Sequence, residues 1–252
     1  RRTGMLSSMS DDGYSAVINI ILKKNFSGID AFASNISFFD WGGSNGGDAL
    51  VQDIANMNIT YTYRKLNLYA AGNYYTGNFN VPTEYLKQYG DRTIRSSAMD
   101  LDHPNASSKS NNGKINVGAD YSLSSNHLIS ADFRYSGNAD KNNAKNDIIN
   151  SLNDVVLDSG FSLARSRSYS DQYQGTITYK GKLNERNSLD ADFRYSHSKG
   201  KNNNFFQQDL YSSENSIAQQ GDFARFNLNY NFQFNPKLNL DLGYGNVYNS
   251  NT

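Results

Sequence analysis

Strict alternation of apolar and polar residues recurs along most of the chain. Met57, Ile59, Tyr61 and Tyr63 interleave with Asn58, Thr60, Thr62 and Arg64, and Ile115, Val117, Ala119, Tyr121 and Leu123 with Asn116, Gly118, Asp120 and Ser122. The same period returns in Ile129, Ala131, Phe133 and Tyr135 against Ser130, Asp132, Arg134 and Ser136, and in Ile177 and Tyr179 against Thr178 and Lys180. Leu189, Ala191, Phe193 and Tyr195 alternate with Asp190, Asp192, Arg194 and Ser196, and Phe226 to Phe234 with a ladder of Asn227, Asn229, Asn231, Gln233 and Asn235. Leu238, Leu240, Leu242 and Tyr244 continue the pattern. Successive side chains of a strand point to opposite faces, so each segment reads as a strand with one apolar and one polar face. Strands are predicted over 51–64, 112–123, 126–136, 173–184, 187–198, 222–235 and 237–248, with a further one over 26–38.

The connections alternate in length. Turns near Arg64-Lys65, Ser124-Ser125-Asn126, Asn184-Glu185-Arg186-Asn187 and Asn235-Pro236-Lys237 are brief, whereas 39–50, 78–112, 138–171 and 200–221 are polar, rich in Asn, Ser, Gly and Asp, and read as long loops. Short turns at one end and long loops at the other is the build of an outer-membrane β-barrel. Ala131-Asp132-Phe133-Arg134-Tyr135-Ser136 reappears unchanged as Ala191 to Ser196, a weak repeat at the spacing of a hairpin unit. Within one predicted loop, Ile148, Ile149, Leu152, Val155 and Val156 fall at helical spacing and predict a short amphipathic helix over 147–158.

Composition narrows the solvent of the apolar face. The aromatic share of 13%, with 18 Tyr and 14 Phe, exceeds that of disordered chains. The absence of an 18-residue apolar run excludes a membrane-spanning helix, and a mean hydropathy of -0.69 fits strands that alternate lipid-facing with lumen-facing side chains. The expected fold class is all-β: a partial antiparallel transmembrane barrel, an open curved sheet of about nine strands with long extracellular loops. Tyr61, Tyr121, Phe133, Tyr179, Phe193 and Tyr230 are expected to face lipid, and Thr60, Asp120, Asp132, Arg134, Lys180, Asp192, Arg194 and Asn229 a wet lumen. A soluble sandwich or small barrel is the alternative, and it would place the apolar set inside a closed core.

Gly13-Tyr14-Ser15-Ala16-Val17-Ile18-Asn19-Ile20-Ile21-Leu22-Lys23-Lys24 resembles the segment that closes the plug domain of TonB-dependent outer-membrane receptors. Gly13, Ala16, Val17, Ile18, Asn19, Ile20, Ile21, Lys23 and Lys24 carry the likeness. The Asn- and Tyr-rich strands that follow are similar in texture to the Bacteroidetes-type barrels of that family. The resemblance implies that 1–24 is the end of a plug, that 25–252 is the N-terminal part of the barrel, and that the chain is a fragment, since the family barrel has about 22 strands. It further implies a Gram-negative outer membrane, energised uptake of a nutrient ligand, coupling to the TonB complex through a region upstream, and a surface lipoprotein as a partner. A structural, secretion-associated or adhesive barrel is the alternative role.

Charge and chemistry add little else. Twenty-four basic residues balance twenty-four acidic ones, which leaves no electrostatic footprint for nucleic acid. Cysteine is absent, removing thiol catalysis, disulfides and Cys-ligated zinc together. His103, His127 and His197 lie far apart, and only His103, beside Asp100 and Asp102, stands near other metal-ligating groups. No Ser-His pairing or catalytic constellation stands out, so neither enzyme activity nor a metal or cofactor is expected. Arg92, Arg95, Arg165 and Arg167 sit in predicted loops and read as solvated charges.

Overall fold

The computed structural model describes residues 27–40, 50–80, 84–97, 106–235 and 238–252. They form a single antiparallel sheet of 11 strands: β1 (Gly28–Asp40), β2 (Leu50–Tyr63), β3 (Leu66–Asn80), β4 (Glu84–Tyr89), β5 (Arg92–Ser97), β6 (Ala106–Ser124), β7 (His127–Leu152), β8 (Val155–Lys182), β9 (Asn187–Gln208), β10 (Tyr211–Asn235) and β11 (Leu238–Asn251). The main path runs β1-β2-β3-β6-β7-β8-β9-β10-β11, and the β4–β5 hairpin attaches to the far end of β7 through β5. Over the described residues each predicted strand lies within one of these elements to within two residues at its ends, β3, β4 and β5 are not among the predicted spans, and the main path has the expected nine strands.

The polar stretches expected as loops are largely strand. Residues 138–171 are the upper halves of β7 and β8, 200–221 are the ends of β9 and β10 around a turn at Asp209-Leu210, and 78–112 contains β4, β5 and the start of β6. Strand β8 alone has 28 residues, roughly 90 Å along its axis. The helix expected over 147–158 is instead the tip of the β7–β8 hairpin. Its two-residue turn, Asn153-Asp154, has φ of 48° and 65°, the mirror-image turn that matches the twist of paired strands. The predicted plug-end motif, Gly13 to Lys24, and His103 lie outside the described residues, as does 41–49.

The sheet is a single layer. Among the described residues no large side chain is fully buried, and Phe133, Phe193, Ile177 and Leu242 stand 45%, 44%, 57% and 55% exposed. A closed apolar core, which the soluble alternative requires, is not formed by these strands. No helix among the described residues is long and apolar enough to cross a membrane, a test that says nothing of strands.

Candidate functional site

Register assigns every side chain of the main path to one of two faces. On one face Ile59, Ala70, Val117, Phe133, Gly175, Tyr195 and Ala224 follow one another from strand to strand, with rows through Ile129-Tyr179-Ala191-Leu228 and Ala131-Ile177-Phe193-Phe226 beside them. Tyr61, Tyr121, Phe133, Tyr179, Phe193 and Tyr230, expected to face lipid, all fall on this face.

Tyrosines end this apolar band above and below by reaching away from its middle. At the upper edge the Tyr135 hydroxyl passes over Gly137 to donate to Asp171 Oδ1 at 2.8 Å, and Tyr195 donates to Asp222 Oδ1 at 2.6 Å. At the turn edge the Tyr179 hydroxyl lies over Gly181 within 2.7 Å of His127 Nδ1, and Tyr230 donates to Asn187 Oδ1 at 2.7 Å. Gly137 and Gly181 are needed there, because an added Cβ would sit 2.4 Å and 2.2 Å from those hydroxyls. An amphipathic ring with an apolar body in the band and a polar tip outside it is what a membrane interface selects. From His127 to Gly137 the band measures roughly 33 Å along the strand, or about 25 Å across at a tilt near 40°, the height of a barrel's lipid-facing belt.

In the row of Tyr135 and Tyr173, Asp222 also meets His197 Nδ1 at 2.8 Å. Tyr75 lies on the opposite face from Tyr74, since it pairs with Asn112 and Ile54.

The other face is polar. Thr60, Asp120, Asp132, Arg134, Lys180, Asp192, Arg194 and Asn229 all lie on it. A hollow of about 580 Å³ on this side is lined from every strand of the path between β1 and β9, including Phe32, Asn58, Asn73, Asn116, Arg134, Gln174 and Arg194. Lining from so many adjacent strands makes the polar face the concave one. Charge is layered along it. Asp120, Asp192, Asp190 and Asp241 lie toward the short turns with Lys180 among them, and Arg134, Arg194 and Arg225 lie in the middle. The rows beyond are mostly Asn, Gln and Ser, as in Ser136-Gln172-Ser198 and Asn138-Ser170-Gly200, with Lys114 and Asp140 as their charges.

The polar groups bind one another laterally. Thr62 Oγ1 donates to Asn67 Oδ1 at 2.9 Å, and Asn67 Nδ2 to Asp120 Oδ2 at 3.3 Å. Arg194 Nη2 donates to Gln174 Oε1 at 2.7 Å, and Asn227 Nδ2 to Asp192 Oδ2 at 3.1 Å. Tyr69 crosses β6 at Gly118 to reach Asp132, and a Cβ at Gly118 would fall 2.3 Å from the tyrosine ring. Asn116 Oδ1 and Arg194 Nε are shielded at the hollow and have no hydrogen-bond partner among the described residues. Such a wall offers both donors and acceptors to a polar ligand. Among the described residues no group of three His, Asp or Glu side chains could hold a metal ion.

No family model and no curated protein matches the sequence. Solved structures do. The chain is similar to the RagAB peptide transporter at a TM-score of 0.51 and 13% identity, over 88% of this chain and 30% of that one. The chain has the fold of an outer-membrane β-barrel wall. Weaker likenesses are to the ferric yersiniabactin uptake receptor FyuA from Yersinia pestis, at a TM-score of 0.41 and 8% identity over 80% of this chain and 36% of that one, and to the Pseudomonas putida toluene transporter TodX, at 0.38 and 13% over 87% and 64%. The chain thus spans between 30% and 64% of the length of these structures.

Proposed function

We propose that this chain is a wall segment of an outer-membrane transporter or receptor of the TonB-dependent type, which takes up a polar nutrient across a Gram-negative outer membrane and is not an enzyme. The observation that carries the proposal is the two-faced sheet: a convex apolar band edged by outward-reaching tyrosines, backed by a concave polar wall with a hollow. A barrel in lipid needs that division, since its outer face meets hydrocarbon and its inner face water. The plug-end resemblance of Gly13 to Lys24 adds the TonB complex as the energising partner, and a surface lipoprotein capping the barrel belongs to the same reading.

Cysteine is absent from these 252 residues, so single cysteines placed here give a labelling test once any native cysteine elsewhere in the protein is replaced. Single cysteines at Ile177 and Thr178, neighbours in the chain on opposite faces, are introduced in the full-length protein in cells. A water-soluble maleimide should label Thr178→Cys and spare Ile177→Cys, and equal labelling would defeat the membrane placement. Uptake is tested by growing a deletion strain on single nutrient sources, among them peptides, glycans and chelated iron, with and without an uncoupler. A growth defect on one source that the wild-type gene restores supports transport. Equal growth on all sources favours a structural or adhesive barrel.

A further inference from the structure

Just above the upper tyrosines, the outer face of the sheet changes from apolar to basic. Lys199 lies opposite Asp171 in the row of Gly137, at the edge of the band, and Lys201 opposite Tyr169 in the next row. One row higher, Lys109, Lys141 and Arg167 stand directly opposite one another on three adjacent strands, and Arg165 follows beside Phe205. Lys109, Lys141, Arg165, Arg167 and Lys199 are exposed. The carboxylates on this part of the face do not neutralise the row. Asp171 is engaged by the Tyr135 hydroxyl and lies 3.8 Å from Lys199, and Asp222, one row below Lys199, is engaged by Tyr195 and His197. Asp53, in the Lys201 row, stands two strands away from Lys109 and accepts from Ser37, while Glu214 and Asp147 stand higher, opposite Phe205 and Phe161.

Like charges directly opposite across strands are destabilising. The inner face of the same strands shows that the chain does not need cations there to stay wet. Behind the basic rows it carries Ser108, Asn142, Ser166 and Asn204, with Asp140 its charged residue in the row below. Cations are therefore segregated to the one side that continues the lipid-facing band. Lys109, Lys141 and Arg167 lie four residues beyond the Gly137 row, roughly 13 Å along the strand and about 10 Å above the hydrocarbon edge at a tilt near 40°. That is the height of headgroups.

We infer that this basic ladder is a binding surface for the phosphorylated sugar headgroups of the outer-leaflet glycolipid. The inference rests on the membrane placement proposed above. Phosphate between Lys109, Lys141 and Arg167 would turn a repulsive row into bridged, charge-assisted pairs. The glycolipid's acyl chains would lie on the band below, where Ala119, Ala131 and Gly175 leave an apolar notch between Phe133, Ile177 and Phe193.

The test uses full-length protein purified in neutral detergent, with bisphosphorylated lipid A and its dephosphorylated form as probes. The triple variant Lys109→Gln, Lys141→Gln, Arg167→Gln should bind bisphosphorylated lipid A about a hundredfold more weakly than wild type, three cations being removed from an anionic surface. Both proteins should bind the dephosphorylated form equally and weakly, through its acyl chains alone, and added salt should weaken the wild-type complex with the bisphosphorylated form. In lipid-free detergent the triple variant should unfold at the same or a higher temperature, because repulsion has been removed. Equal binding of lipid A by two heat-modifiable, folded proteins overturns the inference while leaving the barrel standing. Loss of heat-modifiable folding in the wild type overturns the membrane placement instead. Retention of an acidic surface protein on the row in place of lipid A would also refute the glycolipid assignment.

Discussion

Ile177 lies near the centre of the band, between Ala131 and Phe193, with the Tyr179 edge on one side and the Tyr173 row on the other. It is 57% exposed. Water on that face would make Ile177→Arg a surface change, worth within about 0.5 kcal/mol. Hydrocarbon on that face would make it cost about 2–4 kcal/mol, the penalty for an arginine at the bilayer midplane on a barrel exterior. The next residue supplies the control. Thr178 has the same depth on the opposite face, between Ser130 and Asp192, so an arginine there meets a carboxylate. Thr178→Arg should change stability by less than about 1 kcal/mol. The assay is reversible denaturant unfolding of the full-length protein in phospholipid bilayers, followed by tryptophan fluorescence and heat-modifiable migration. Equal tolerance of the two substitutions, or a greater cost at Thr178, would refute the assignment of faces.

Gly118→Ala should lower stability by about 1–3 kcal/mol, because the new Cβ would meet the Tyr69 ring at 2.3 Å, and the cost should largely vanish in a Tyr69→Ala background. Gly175→Leu should leave the unfolding midpoint in bilayers unchanged or raised, since a Cβ there meets nothing within 4 Å and the site faces the apolar notch. Asp154→Gly should stabilise the β7–β8 tip by about 1 kcal/mol or less, relieving a left-handed φ of 65°, as read by proteolysis or hydrogen exchange of the hairpin.

The division into faces was legible in sequence wherever the two faces meet different solvents. The eight polar residues named from alternation, from Thr60 to Asn229, share one face, because a register slip by one residue would turn a whole strand over. Sequence did not show the lateral contacts. Tyr69 sits on the polar face, and its reach across Gly118 to Asp132 depends on which strands adjoin, which a linear pattern does not carry. The glycines under Tyr135 and Tyr179 were a missed signal: a glycine two residues after an aromatic at the end of an alternating run marks where the ring folds outward. The helix expected over 147–158 failed because five apolar residues at mixed spacing satisfy a helix and a hairpin tip alike. The β-branched Ile148, Ile149, Val155 and Val156 around Asn153-Asp154 were the better guide.

The same physics explains why long strands looked like loops. Period-2 alternation is not a property of strands but of strands whose faces are wetted differently. Between Gly137 and Asp171 the outer face leaves the apolar band, and beyond it both faces meet water, so β7 reads Asn138-Ala139-Asp140-Lys141-Asn142-Asn143 and the pattern vanishes while the hydrogen-bonded ladder continues. The strand outlives its signal. What replaces alternation there is a difference of charge, with Lys109, Lys141 and Arg167 on the outer side and Ser108, Asn142 and Ser166 on the inner. In the membrane placement proposed above, the place where apolar period ends and charge period begins, near Tyr135, Tyr173 and Tyr195, is the upper surface of the hydrocarbon, and the sequence carries that boundary in residue type even where it conceals the strand.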